Sequence, residues 1–288
     1  MRRFILTTIL SGIILVSSVF SQSPVAISAV QGEGNFSPMA DSEVIVRGIV
    51  TAISARGFYI QAPDDSADND PKTSEGIFVL TSDVPGSDIA SGALVEVTGK
   101  VTEYRPDNDK FPMYLTEIVE PKIQVISTEN PLPSAALISE EQLKPDGALD
   151  QLERYEGMRV KIEEMVVVSP TGGGFVVGEN RVRSNGVFYG VLSKTKRPFR
   201  EPGVELAVAK SNGLSDTIPV FDMNPELIRV DSDGLKGGQP LDVTSGATVK
   251  NLIGVIDYGF RAYTVLVDPA EKPNVENSRT FIPALPAG

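Results

Sequence analysis

The sequence of 288 residues contains no cysteine and no histidine. The chain therefore cannot form a disulfide, a Cys–His or Ser–His–Asp catalytic group, or a histidine-ligated zinc site. Nuclease or phosphatase chemistry that uses an imidazole to activate water is excluded for this chain alone. The fold must depend on a hydrophobic core, and a hydrophobic content of 41% is sufficient for one large or two small domains.

Basic residues are also scarce, because 26 Lys and Arg oppose 38 Asp and Glu, which gives a net charge of −12. Binding to a phosphate backbone needs local positive charge, so the surface as a whole cannot enclose a nucleic acid. A nucleic-acid partner would require a local concentration of cations within this acidic background.

The N-terminus has the pattern of a secretory signal peptide. Arg2 and Arg3 precede an uncharged, apolar run over residues 4–20, and Ser21 supplies a small residue for cleavage. We predict a signal peptide over residues 1–21, a bacterial secreted or periplasmic location, and no membrane span after cleavage. The alternative is a membrane anchor, for which the apolar run is short compared with the roughly 20 residues that a span needs.

The rest of the chain has mainly the alternation of β-strands. After an N-terminal extension over residues 22–42, five short strands predict an OB-like β-barrel over residues 43–127, its fifth strand interrupted at Pro121. Prolines and a glycine in residues 128–156 predict a connector with short helices over 135–143 and 148–155.

A second β-rich region over residues 157–270 predicts a second OB-like domain. In both halves a β-branched strand leads through a turn into Gly-Phe, at Gly57-Phe58 and Gly174-Phe175, which favours a duplication. The predicted fold is mainly β, with two small OB-like barrels in tandem joined by a short helical connector. Residues 271–288 read as a proline-rich tail, or as a linker to a missing domain.

One basic stretch stands out from the acidic background. Between Arg181 and Arg200 there are six cations and no acidic residue, with three aromatic residues among them. Cations that follow a phosphate backbone and rings that stack on bases are the elements of single-strand binding by OB folds. The alternative is that the rings belong to the core and the cations only solubilise a loop. The candidate nucleic-acid-binding residues, for single-stranded DNA or RNA, are Arg181, Arg183, Lys194, Lys196, Arg197, Arg200, Phe188, Tyr189 and Phe199.

An acidic loop is the candidate metal site. It contains Asp64, Asp65, Asp68 and Asp70, and Ca²⁺ prefers several oxygen ligands from a loop. The spacing does not match an EF-hand and the glycine of its sharp turn is missing, so a solvated loop tip is the alternative. No other cofactor is predicted.

Several segments follow one another in an order that resembles a known family. They are residues 27–34, 57–61, 73–79 and 97–104, and in the second half residues 197–203 and 224–226. Over residues 27–270 the chain is similar to the non-catalytic, OB-like N-terminal region of bacterial secreted nucleases of the endonuclease/exonuclease/phosphatase superfamily. The resemblance implies a nuclease catalytic domain as a fused or separate partner. That domain's essential histidines have no counterpart here, so no catalytic residue is transferred.

Three functions are compatible with these patterns. The first is a secreted, non-catalytic accessory region, or truncated gene product, of an extracellular nuclease system that binds or positions nucleic acid. The second is an extracellular protein- or polysaccharide-binding β module with no nucleic-acid role. The third is a metal hydrolase that needs no histidine. The lack of histidine favours a protein that is not itself an enzyme.

Overall fold

A computed structural model describes residues 23–68, 70–106, 109–176, 178 and 181–277. The predicted signal peptide, and residues 278–288 of the predicted tail, lie outside this part of the chain. The mainly β class is confirmed, since the described helices are α1 (Ile27–Gln31), α2 (Leu206–Asn212) and a single 3-10 turn over Glu153–Tyr155. Within the described residues, no helix has the length and apolarity needed to cross a membrane.

The first five strands form a closed barrel in the order β1-β2-β3-β5-β4. Each pair of neighbours is antiparallel except β3 and β5, which run parallel. Valine and isoleucine side chains from alternate positions fill the interior, as the period of two predicts. The strands are β1 (Glu43–Ile53), β2 (Gly57–Gln61), β3 (Gly76–Leu80), β4 (Leu94–Tyr104) and β5 (Leu115–Ser127).

The predicted interruption of the fifth strand at Pro121 is wrong, because β5 continues through it. The register between β4 and β5 shifts between Thr98 and Lys100, and Glu120 has a φ of 51°. Because of this bulge, Pro121 lies outside the ladder of hydrogen bonds between β4 and β5. The lack of an N–H on proline therefore costs no hydrogen bond there.

Five strands of the second half close a second ring. β7 pairs with β10, β10 with β13, β13 with β15, β15 with β14, and β14 returns to β7. Again a single pair in the ring, β13–β15, is parallel, at the same position as β3–β5. The two barrels therefore share one topology, and the prediction of tandem OB-like barrels is confirmed. The ring strands are β7 (Arg159–Ser169), β10 (Val187–Leu192), β13 (Ile228–Asp231), β14 (Thr248–Gly259) and β15 (Ala262–Val267).

The second barrel carries additions that the first lacks. A hairpin of two strands connects β7 to β10, and a segment that contains α2 connects β10 to β13. Two short strands extend the sheet beside β7 and β14. The added strands are β6 (Ala136–Leu137), β8 (Gly173–Val176), β9 (Arg181–Ser184), β11 (Val204–Glu205), β12 (Val220–Phe221) and β16 (Asn274–Glu276).

The connector differs from its prediction. Residues 135–143 contain the short strand β6, which pairs with β7, and residues 148–155 form turns that end in the 3-10 turn. The buried side chains of Ile138, Leu143 and Leu152 belong to the core of the second barrel. A short helix is costly to nucleate, and Pro145 and Gly147 interrupt this stretch, so packing against the barrel determines its conformation.

The two barrels pack directly against each other. Ala52, Tyr59, Phe78 and Leu115 on the outer wall of the first barrel form a third hydrophobic cluster with Leu235, Val255 and Leu266 of the second. At the edge of this contact two glycines meet through their backbones, since an added Cβ on Gly76 would lie 2.2 Å from the carbonyl carbon of Gly157. Only residues without a side chain permit this approach.

Polar groups tie the same contact together. The Gln61 Oε1 atom accepts a hydrogen bond of 2.8 Å from the Arg159 N–H, and the Thr116 N–H donates to Glu156 Oε1 at 2.9 Å. Burial raises the pKa of Glu117 and of Glu153 to about 7, and it also raises the pKa of Glu156. One carboxylate oxygen each of Glu117 and Glu156 has no hydrogen-bond partner among the described residues.

Gly76→Ala should destabilise the protein, because the methyl group would collide with the Gly157 backbone. Overpacking of this kind costs about 1–3 kcal/mol, and a chain of this size loses roughly 2–4 °C of unfolding midpoint per kcal/mol. Thermal unfolding followed by circular dichroism measures the change. Gly34→Ala is the control, since an added Cβ there meets nothing within 4 Å. Equal midpoints for the two variants would contradict the contact.

Stability should fall as the pH rises from 5 to 8. Glu117 and Glu153 have a pKa of about 7 when folded and an ordinary value of 4.5, so the folded protein holds more protons in this range. Glu117→Gln removes one of these groups and should raise the unfolding midpoint at pH 8 more than at pH 5. Glu163→Gln, at an exposed position on β7, controls for the change in net charge. A midpoint that rises with pH in the unaltered protein would refute this prediction.

Candidate functional site

A cleft of about 610 Å³ opens beside the contact between the barrels. From the first barrel it is lined by Arg56 in the β1–β2 turn, Tyr59 on β2, Phe78 on β3, and Tyr104 and Arg105 where β4 ends. In OB folds the ligand surface is the outer face of strands 2 and 3, flanked by the loops between strands 1 and 2 and between strands 4 and 5. The cleft occupies that place on the first barrel, and the second barrel forms its opposite wall.

Four arginines line the cleft, and each guanidinium lies over an aromatic ring. Such stacking holds the planar guanidinium in place. The distances to the ring centroids are 5.3 Å for Arg56 over Tyr104, 4.7 Å for Arg105 over Tyr114, 4.9 Å for Arg229 over Phe260 and 5.8 Å for Arg261 over Phe111.

Among the described residues, the arginines of the second barrel form ion pairs and those of the first do not. Arg229 pairs with Asp231 at 3.1 Å, and Arg261 pairs with Asp109 at 2.8 Å. Arg56 and Arg105 form no ion pair with any residue that the structure describes, and the Arg105 Nη1 atom donates to the Phe111 carbonyl at 3.1 Å. The arginines that form no ion pair therefore lie on the wall that the first barrel supplies, and carboxyls stand near both: Glu117 and Asp257 near Arg56, and Asp109 near Arg105.

Three polar side chains line the cleft close together: Tyr59, Asp257 and Tyr258. The Tyr59 hydroxyl donates to Asp257 Oδ1 at 2.8 Å, and burial raises the pKa of both groups, that of Asp257 to about 6. The Tyr258 hydroxyl is buried without a hydrogen-bond partner among the described residues, and burial raises its pKa. The cleft thus contains a hydroxyl whose hydrogen-bonding capacity is unused, next to a carboxyl that binds a proton more readily than usual.

The basic stretch predicted from the sequence does not form one face. Arg181 and Arg183 lie on β9 of the hairpin that enters β10, whereas the other four cations, Lys194, Lys196, Arg197 and Arg200, follow the end of β10. The two groups are therefore at opposite ends of that strand. Part of the second group borders a hollow with four acidic residues: Glu140, Glu201, Asp222 and Glu226.

The three aromatic candidates have three different environments. Phe188 is fully buried in the interior of the second barrel, which prevents it from stacking on a base. Tyr189 is on the outer wall of that barrel and is half-buried. Phe199 is 73% exposed in the loop after β10. The alternative that the rings belong to the core is thus correct for Phe188 alone.

The carboxylates of the acidic loop accept hydrogen bonds from N–H and hydroxyl groups of the protein. Asp64 accepts from the Ser134 N–H at 2.9 Å, Asp68 from the Asp70 N–H at 2.7 Å, and Asp70 from the Lys72 N–H at 3.0 Å. Asp65 accepts from the Ser66 hydroxyl at 3.0 Å. In the part of the chain that the structure describes, no three His, Cys, Asp or Glu residues are grouped to hold a metal ion. Calcium binding by this loop stays a prediction.

The cleft is not predictable from one stretch of the sequence, because its arginines come from four separate segments. Arg56 and Arg261 occupy the tight turns after the first strand of the first barrel and the fourth strand of the second. In an OB fold these two turns flank the ligand face. Basic residues next to aromatic residues in those turns were the available signal, at Arg56-Gly57-Phe58 and Phe260-Arg261.

Comparisons with known proteins place the chain in a family. No curated protein matches the sequence. Among solved structures, the chain is similar to a murine DNA binding protein bound with ds DNA, with 10% sequence identity and a TM-score of 0.28, over 81% of this chain and 99% of that chain. At that TM-score the similarity establishes neither a common fold nor a common function. The model of a domain of unknown function, DUF8508, matches residues 116–277. Since this match spans more than half of the sequence, including all five ring strands of the second barrel, the chain belongs to the DUF8508 family.

Proposed function

We propose that this protein is a non-catalytic binding module for single-stranded nucleic acid, exported from a bacterial cell, which positions that ligand for a nuclease catalytic domain. The observation that carries the proposal is the cleft between the barrels, with four arginines that each lie over an aromatic ring. Export and the nuclease partner rest on the N-terminal pattern and on the family resemblance in the sequence.

The chemistry of the cleft suits an unpaired strand. Exposed aromatic rings stack on bases, and arginine both stacks and donates to phosphate. Tyr104 is 40% exposed and Phe260 is 85% exposed, one on each wall. Arg56 and Arg105 lie on the first wall and form no ion pair with a described residue, so they are the groups we assign to the phosphates.

The net negative charge of the protein limits the electrostatic contribution to its affinity for a nucleic acid. With a net charge of −12, affinity must come from a few local contacts and from stacking. For single strands the logarithm of the binding constant falls by about 0.7 per phosphate contact for each tenfold rise in salt. Two phosphate contacts therefore imply a slope near −1.4, which is shallow for a nucleic-acid-binding protein.

The lack of histidine and cysteine supports a role without catalysis. The most strongly perturbed carboxyls, Glu117, Glu153 and Glu156, lie in the contact between the barrels. Their environment is explained by the packing there, and so they give no reason to assign acid–base chemistry.

A neutral oligosaccharide is the second candidate ligand. The observation that favours it is the set of hydrogen-bonding groups on the cleft walls, which includes Asp109, Asp231, Asp257 and the unpartnered Tyr258 hydroxyl. OB folds bind oligosaccharides on the same surface as oligonucleotides. Binding of a neutral sugar would depend little on salt, which separates the two candidates.

Arg56→Gln combined with Arg105→Gln should weaken binding of a fluorescein-labelled 20-nucleotide oligothymidylate about tenfold or more in 50 mM salt. The reason is that both phosphate contacts are lost, so the salt slope should also fall by about 1.4. Fluorescence anisotropy at several salt concentrations measures both quantities. An RNA of matching length and a neutral oligosaccharide are titrated in parallel.

Lys196→Gln combined with Arg197→Gln is the matched control, since it removes the same charge from exposed positions outside the cleft. This variant should retain the affinity of the unaltered protein. Loss of binding in the control but not in the cleft variant would assign the ligand to the basic stretch and refute the cleft. No binding by the unaltered protein would refute the proposed function, and oligosaccharide binding instead would establish the second candidate.

A further inference from the structure

A second hollow of about 400 Å³ lies on the outer wall of the second barrel. Its floor is formed by Tyr189 on β10 and Arg229 on β13, and its sides by residues of the β7–β10 connection and by Phe260 in the β14–β15 turn. These elements correspond in topology to strands 2 and 3 and to the two flanking loops of an OB fold. The second barrel therefore presents its own ligand face.

The two ligand faces are built alike. Tyr59 and Phe78 are cross-strand partners on the first barrel, and Tyr189 and Arg229 are cross-strand partners on the second. Directly opposed residues of antiparallel strands point to the same side of the sheet. Each barrel thus places a tyrosine of its second strand next to a flat side chain of its third strand, in the position where OB folds stack bases.

The two faces also meet. Arg229 and Phe260 line both the cleft between the barrels and the hollow on the second barrel. The Phe260 ring is stacked on the Arg229 guanidinium at 4.9 Å and is the most exposed large hydrophobic side chain among the described residues. A ligand that leaves the cleft past Phe260 enters the second hollow directly.

The backbone at Phe260 is unfavourable for the residues it carries. Phe260 and Arg261 have φ values of 54° and 60° in a two-residue turn between Gly259 and Ala262. Turns with two positive φ angles strongly prefer Asn and Gly, and a bulky aromatic residue is an outlier there. Strain of this kind persists where the side chain has a role other than stability.

From the shared lining and the strained, exposed ring we infer that both ligand faces form one continuous groove, and that a single strand crosses both barrels with Phe260 as the stacking platform between them. This inference rests on the proposed function, because it takes single-stranded nucleic acid as the ligand. It adds a second binding surface, which the first proposal does not require, and it predicts a binding site longer than one barrel.

The experiment measures the affinity of oligothymidylates of 4 to 24 nucleotides by fluorescence anisotropy at low salt. In the unaltered protein the affinity should keep rising beyond the length that fills one OB face, which is roughly 4–16 nucleotides in other proteins. Tyr189→Ala should reduce the ratio of the affinity for the longest oligonucleotide to that for the shortest by about tenfold, because one stacked base is lost from the second face.

Phe260→Asn tests the platform in a variant that should fold well. Asparagine is favoured at positive φ, so the unfolding midpoint should be unchanged or higher, while affinity for the long oligonucleotide should fall about tenfold. Phe199→Ala is the control, since Phe199 is 73% exposed and lines neither part of the groove. It should change neither the midpoint nor the affinities.

These measurements distinguish a failure of the proposed function from a failure of the continuous groove. If the unaltered protein binds no oligonucleotide, the proposed function is refuted. If it binds but affinity stops rising at the shortest lengths, and Tyr189→Ala leaves the length dependence intact, the groove is refuted and the cleft alone is the site. A loss of affinity in Phe199→Ala equal to that in Phe260→Asn would also refute the groove.

Discussion

The contact between the outer wall of the first barrel and the second barrel is the constraint on which the site depends. Gly76 and Gly157 bring the two backbones together, and Tyr59 and Phe78 bury their outer faces against Leu266 and its neighbours. Because the cleft has one wall from each barrel, its width and the distances among its arginines are set by this contact. A change that moves the barrels apart would therefore alter the site without touching any residue that contacts the ligand.

The same contact explains the unusual electrostatics of the cleft. Packing the barrels removes Glu117 and Asp257 from water, and their pKa values rise to about 7 and about 6. A carboxyl that binds a proton near neutral pH carries less negative charge than a surface carboxylate. Burial thus weakens the acidic background beside Arg56, which otherwise would oppose a phosphate. The free energy of unfolding is lower near pH 8 as a consequence. At that pH each group must either carry a charge while buried or keep a proton that it would release in water.

The parts of the structure that were predictable are those that depend on local patterns. The alternation of β-strand residues that begins at Val44 predicts strands without knowledge of the strands they pair with. Both barrels could therefore be predicted. The connector could not, since Leu143 and Leu152 are fixed by the core of a barrel that follows them in the chain. The basic stretch looked like a site because its cations are close in sequence, yet β10 separates them in space. Charges that converge in space, such as Arg56 and Arg261, have only a weak signature in a local window, namely a basic residue near an aromatic one in a turn.

The two barrels share a topology, but the surface that binds ligands in OB folds has a different environment on each. On the first barrel the centre of that face, at Tyr59 and Phe78, packs against the second barrel. Only the rim of the face is therefore accessible to a ligand. On the second barrel Tyr189 stays half-buried on the outer wall beside the buried Arg229, and the β14–β15 turn carries Phe260 to the boundary between the two surfaces. If the two faces were independent, the stacking of the Phe260 ring on Arg229 would be the described contact that offsets the backbone strain. On the proposal that one strand of nucleic acid crosses both faces, the ring would contact that ligand from both sides.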